Sequence, residues 1–183
     1  RQKKLELWVE GARLRTLPLA VAPVAVGTGA AASIQMFQPL LAGLALAVAL
    51  FLQIGVNYAN DYSDGIRGTD NKRVGPLRLT GSKSVKPKAV KNAAFIFFAL
   101  AGLAGLVIVL ITAIWWLLAV GAMAIVAAWF YTGGKSPYGY AAMGEVSVFI
   151  FFGLVATLGT EYIQTGNFDS NGIFGGVAMG AIS

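Results

Sequence analysis

The chain has 183 residues, 57% hydrophobic and 12% charged, with a mean hydropathy of +0.70 and a net charge of +6. That charged fraction is about half the average for a soluble domain, so the composition points to a membrane protein. Cysteine and histidine are both absent, which excludes disulfides, thiolate nucleophiles, imidazole acid–base chemistry and zinc or haem ligation through those residues.

Residues 1–15 read as a basic, amphipathic interfacial helix. Leu5, Trp8, Val9 and Ala12 share one face, with Lys3, Lys4, Glu6 and Arg13 toward water. The apolar run that follows is too long for a cleaved signal peptide and leads directly into others. No charged residue occurs from 16 to 60 or from 92 to 134. A span needs about 20 apolar residues, so each run holds a pair of spans. The first pair breaks at Ser33–Pro39, where polar residues and a proline interrupt the apolar sequence. The second breaks between Thr112 and Trp116, where tryptophans suit an interface. The predicted spans are roughly 16–34, 40–60, 92–112, 115–132, 141–160 and a sixth from about 172, an all-α polytopic bundle.

All fourteen Lys and Arg fall on one side of this scheme, in the amino-terminal segment, the 61–91 loop and the loop holding Lys135. The opposite loops carry only Glu161 and Asp169. The positive-inside rule makes the basic side cytoplasmic. The net charge therefore reflects topology and contact with membrane lipid, and without a soluble basic domain the chain is a poor candidate for nucleic-acid binding. Small residues near four-residue spacing, Gly102 with Gly105 and Gly172 with Gly176, predict close helix approaches. The chain opens on Arg1 and reaches Ser183 about 12 residues, or roughly 18 Å, into the sixth span against a bilayer core of ~30 Å. It reads as the amino-terminal part of one longer membrane domain, with no internal repeat.

The chemistry concentrates in NYANDYSDGIRGTDNKRVGPLRL, residues 57–79. Asn57 and Asp61 are four apart, as are Asn60 and Asp64. In a continuous helix all four occupy neighbouring strips of one face. Acids there oppose the helix macrodipole, with no basic residue expected inside the helix to offset them. A divalent cation resolves the conflict. Magnesium takes one or two carboxylates with water and phosphate oxygens, Asp70 adds a carboxylate, and Arg67, Lys72, Arg73 and Arg78 surround it with cations. A lipid-headgroup patch or an ion pathway would use the same residues. On the same side, Tyr131 and Lys135 lie four apart, followed by Tyr138, and Glu145 falls about one turn into the fifth span. Glu145 reads as a base, a ligand or the partner of Lys135.

These segments resemble the UbiA-type intramembrane prenyltransferases. The family's Asn-Asp-x-x-Asp motif is matched by Asn60-Asp61-Tyr62-Ser63-Asp64, and its Tyr-x-x-x-Lys element by Tyr131 and Lys135. NYANDYSDGIRGTD with GPLRLTGS, TLPLAVAPVAVGT and YTGGKSPYGYAAMGEVSVFIFFG are most similar to the menaquinone-pathway branch that acts on 1,4-dihydroxy-2-naphthoate. Gly68 stands where many relatives have a further aspartate, with Asp70 two residues on. The resemblance implies a nine-span bundle, of which about five and a half are in this chain, and a second Asp-rich motif that lies beyond it. It implies magnesium on Asn57, Asn60, Asp61, Asp64 and Asp70 gripping a polyprenyl diphosphate, with Arg67, Lys72, Arg73, Arg78 and Lys135 beside the phosphates. Tyr131 and Tyr138 would line the pocket for the electron-poor prenyl carbon. Other aromatic acids, 4-hydroxybenzoate or homogentisate, are the alternative acceptors. Outside enzymes the alternatives are a transporter and a lipid-binding protein, although transporters place polar residues nearer the midplane.

Overall fold

The computed structural model describes residues 2–68, 79–80, 82, 84–131 and 143–183. Helix α1 (Gln2–Gly11) meets α2 (Leu17–Ser33) through a short 3₁₀ elbow at Leu14–Thr16, after Arg13 adopts a left-handed conformation. Trp8 of α1 and Ala12 just after it turn toward the protein, while Leu5 and Val9 stay exposed. The apolar face predicted for α1 is thus divided between core and surroundings. Helix α2 stops in a Schellman motif: Gln35 is left-handed, its N–H reaches Ala32 O, and the Met36 N–H reaches Ala31 O. Pro39 then opens α3 (Pro39–Arg67), its missing N–H costing nothing in the first turn.

Helix α3 has 29 residues, about 43 Å at 1.5 Å per residue, and so runs well past a ~30 Å core. It does not end at its first acid near residue 60. It continues to Arg67 and stops at Gly68, left-handed at φ 70°, whose N–H bonds back to Asp64 O and Gly65 O. Arg67 therefore lies in the last turn of the helix. This corrects the expectation that no basic residue inside the helix offsets the dipole.

Pro87 opens α4 (Pro87–Thr112), which packs along α3. Gly55 makes this approach possible, because a Cβ there would sit 2.7 Å from the Phe98 ring. A turn at Ala113–Trp116 leads into α5 (Leu117–Phe130), the break expected between the two tryptophan-flanked spans. The fifth span combines α6 (Met143–Val148), a π-helical stretch at Phe149–Val155, and α7 (Ala156–Thr165), and α8 (Ser170–Ile182) closes the series. Four of these stretches, Lys3–Ser33, Pro39–Arg67, Pro87–Thr112 and Val146–Thr165, are long and apolar enough to cross a membrane. No strand occurs among the described residues. The fold is a polytopic helical membrane bundle.

On the side away from the acidic cluster, α7 ends at left-handed Gly166. Glu161, expected in a loop, lies fully buried inside α7. Its Oε1 accepts the Asp169 N–H at 3.3 Å, and Asp169 caps α8 by accepting the Gly172 N–H at 2.8 Å. Gly172, Gly176 and Gly180 form one buried strip of α8 facing Glu161, Leu154 and Phe149. A Cβ on Gly172 would collide with the Glu161 carboxyl group. The expected close approach holds at Gly172 and Gly176. It does not hold at Gly102 and Gly105. A Cβ on Gly102 would meet only Ile125, at 3.7 Å, nothing lies within 4 Å of Gly105, and both glycines border a cavity instead.

Candidate functional site

Helix α3 delivers the polar residues. At about 100° per residue, Asn60, Gln53, Asp64, Asn57 and Asp61 follow one another around an arc of about 100°, with Asn60 at one edge and Asp61 at the other. The Asn60 edge borders an open-sided cavity of about 580 Å³ lined by α2 through α7. Toward the carboxyl end of α3, its polar lining comes from Gln53, Asn57, Asn60, Tyr131 and Ser147. Most of the remaining wall is apolar, with Val24, Ala45, Leu52, Ile108, Phe151 and Phe152 among its residues. The fold thus gathers Asn57 and Asn60 from the Asp-rich segment and Tyr131 from the end of α5 at one end of one apolar chamber.

The opposite edge of the arc is engaged elsewhere. Asp61, 1% exposed, accepts the Leu79 N–H on Oδ2 and the Thr80 N–H on Oδ1, both at 2.8 Å. Asn57 is also tied down. Its amide donates to Ala12 O and to Thr16 Oγ1, each at 2.8 Å, and its Oδ1 accepts from Gln53 Nε2 at 3.3 Å. The Tyr58 hydroxyl adds a bond of 2.7 Å to Trp8 O. Asn57 and Asp61, both expected as metal ligands, therefore hold the α1–α2 elbow and the segment entering α4.

Asp64 is buried in the last turns of α3, and Arg67 is exposed beyond it. Glu145 falls in α6. Asp70, Lys72, Arg73, Arg78, Lys135 and Tyr138 lie outside the described residues. Among the described residues no three acidic groups cluster closely enough to hold a cation by themselves. The donors present nevertheless fit magnesium, because amide and carboxylate oxygens at Asn60 and Asp64 match a hard cation that completes its shell with water and phosphate. A group made only of protein side chains is not what that ion requires.

Three supports of the site carry no recognisable motif. Gln53 and Thr16 complete the Asn57 network. Gln53, Asn57 and Asp61 repeat every four residues in an otherwise apolar helix, and that spacing is the signal that would have grouped them. Leu79 and Thr80 gave no local signal, since their contacts are with a helix 18 residues earlier. Lys91 places its ammonium 5.7, 5.8 and 5.9 Å from the rings of Tyr62, Phe95 and Trp129. This cation–π box fastens the end of α5, two residues before Tyr131, to α3 and α4.

Comparison with known proteins accords with this geometry. The chain is 59% identical over 176 residues to the 1,4-dihydroxy-2-naphthoate octaprenyltransferase of Mycobacterium tuberculosis, covering 96% of this chain and 60% of that protein. It is 40% identical over 167 residues to the protein of the same name from Escherichia coli, covering 88% and 54%. A third of that name, from Bacillus subtilis, is 32% identical over 154 residues, covering 84% and 49%. The chain thus spans about half to three-fifths of the length of the curated relatives it matches. No solved structure matches. Residues 20–183 match the UbiA prenyltransferase family, and the chain belongs to that family.

Proposed function

We propose that this chain carries the diphosphate-binding part of an intramembrane prenyltransferase. The enzyme moves a polyprenyl group from an allylic diphosphate to 1,4-dihydroxy-2-naphthoate. The observation that carries the proposal is the apolar chamber with Asn57, Asn60 and Tyr131 at its polar end, in a chain similar over most of its length to proteins named for that reaction. The apolar walls suit an isoprenoid tail, and the polar end suits its diphosphate.

Family members generally depend on a divalent metal, and magnesium is the ion these oxygen donors favour, held by Asn60, Asp64 and Asp70. Bound there, it supplies positive charge to the departing diphosphate. Arg67, Lys72, Arg73, Arg78 and Lys135 share that charge through hydrogen bonds. Tyr131 and Tyr138 would stabilise the prenyl carbon by cation–π attraction as its bond to oxygen breaks. A naphthoate ring carbon then bonds to that carbon, the ring carboxylate leaves as carbon dioxide, and diphosphate departs. Glu145 would serve as base or as partner of Lys135. The basic side faces the cytoplasm of the cell membrane.

The test uses the full-length protein in membranes with magnesium and a long allylic diphosphate, offered a panel of aromatic acids, with products identified by mass. Prenylated, decarboxylated naphthoate is the expected product. Asp64→Ala should lower turnover by about 100-fold or more. Turnover on 4-hydroxybenzoate or homogentisate alone would overturn the acceptor, and unchanged turnover in Asp64→Ala would overturn the metal site.

A further inference from the structure

We infer that Asp61, although inside the Asn-Asp-x-x-Asp motif, is a positioning residue. Its carboxylate fixes the chain at Leu79–Thr80, while metal ligation falls to Asn60 and Asp64 on the other side of the α3 arc. Three observations converge on this. Both Asp61 oxygens accept backbone N–H groups at 2.8 Å, and the side chain is only 1% exposed. Two such donors compensate a buried carboxylate without a cation, since charge-assisted bonds to backbone N–H are among the stronger hydrogen bonds in proteins. The clamped segment is itself seated. The Leu79 side chain is fully buried in a cluster with Tyr58, Val90 and Phe98, and a Cβ on Gly11 would lie 2.7 Å from its Cδ1. The Val85 N–H closes on Leu79 O at 3.2 Å. Finally, Asp61 is rotated about 100° from Asn60 and about 60° from Asp64 around the helix, whereas Asn60 and Asp64 differ by only about 40°.

The consequence for chemistry follows from the covalent chain. Arg78 is the residue before Leu79, so fixing the Leu79 N–H fixes where the basic segment rejoins the fold beside α3. Asp61 thereby acts on the diphosphate through the backbone rather than through the metal. That last step rests on the prenyltransferase reading; the clamp itself does not.

The experiment compares Asp61→Asn, Asp64→Asn and Thr80→Pro in the full-length protein in lipid nanodiscs. Three quantities are measured: hydrogen exchange of peptides spanning Leu79–Val85 without metal or substrate, Mn²⁺ affinity by electron paramagnetic resonance, and the KM for allylic diphosphate separately from kcat. Asp61→Asn turns a donor amide toward one of the two N–H groups. Exchange at 79–80 should rise about tenfold or more, KM should rise about tenfold, and Mn²⁺ affinity should stay within about threefold. Asp64→Asn should leave exchange unchanged and weaken Mn²⁺ by about tenfold or more. Thr80→Pro removes one N–H and leaves the carboxylate intact, so it should reproduce the KM rise with Mn²⁺ affinity preserved. The proposal is overturned if Asp61→Asn keeps the 79–80 protection or loses Mn²⁺ as Asp64→Asn does. If Asp61→Asn does not fold, an unchanged KM in Thr80→Pro overturns it. If no acceptor is turned over but exchange and Mn²⁺ behave as expected, the clamp stands and the enzyme reading falls.

Discussion

Replacing Asn57 by alanine separates scaffold from chemistry at the heart of the polar cluster. The side chain is 3% exposed and makes three hydrogen bonds, to Ala12 O, Thr16 Oγ1 and Gln53 Nε2. Bonds of this kind are worth about 0.6–1 kcal/mol each in a membrane protein, so their loss costs about 2–3 kcal/mol. That shifts the folded-to-unfolded ratio by about 30- to 150-fold. Asn57→Asp should be at least as harmful. The carboxylate cannot donate to Ala12 O, and the Thr16 hydroxyl already donates to Arg13 O at 2.9 Å. Reversible unfolding of the full-length protein in bicelles, with and without magnesium, reads both variants. The expected result is a loss of stability of this size that is the same with and without the ion. Wild-type stability in Asn57→Ala, or Asn57→Asp more stable than Asn57→Ala, would refute the reasoning and return Asn57 to a purely ligating role.

Other expectations concern the side of the bundle away from this cluster. Gly172→Ala should destabilise by about 1–3 kcal/mol, because its methyl group meets the Glu161 carboxyl group, whereas Gly105→Ala, with open space beside it, should be neutral or slightly stabilising; the same unfolding assay reads both. The Asp169 carboxyl is held below the usual carboxylate range, first by the Gly172 N–H and then by the Glu161 side chain. A depressed folded pKa means that its contribution is present above the unfolded pKa and lost as pH falls through the folded one. Amide exchange at the start of α8 should therefore accelerate only below the ordinary carboxylate range. The acceleration should vanish in Asp169→Asn.

The number and order of the helices were legible because long uncharged runs have few other physical solutions. The breaks at Ser33–Pro39 and Ala113–Trp116 were legible because prolines and interfacial tryptophans mark them. Helix ends were less so. The expected spans ended near residues 60 and 160, yet α3 runs through Asp61 and Asp64 and stops at Gly68, and α7 runs through Glu161 and stops at Gly166. A left-handed glycine ends a helix for steric reasons, while a charge near the end needs only a partner. Partners are long-range facts. The bond from Asp61 to Leu79 and Thr80, and the contact of Glu161 with Gly172, depend on how helices pack. Motif spacing identified the right stretch of α3 but could not divide its residues between support and chemistry, since both uses call for the same side chains.

The π-helical stretch at Phe149–Val155 carries a consequence for insertions and deletions. A π turn holds one more residue than an α turn, so this stretch is a phase adjuster between two halves of a single span. On one side Ser147 borders the chamber, and on the other Glu161 faces α8. Deleting one residue from this stretch would restore ordinary helical winding and leave the two faces nearly in phase, whereas the same deletion in the α-helical turns between Val155 and Glu161 would rotate one half against the other by about 100°. One of those two faces would then be lost even if every remaining side chain were kept. The seven π-helical residues can lose one of their number; the turns beside them cannot.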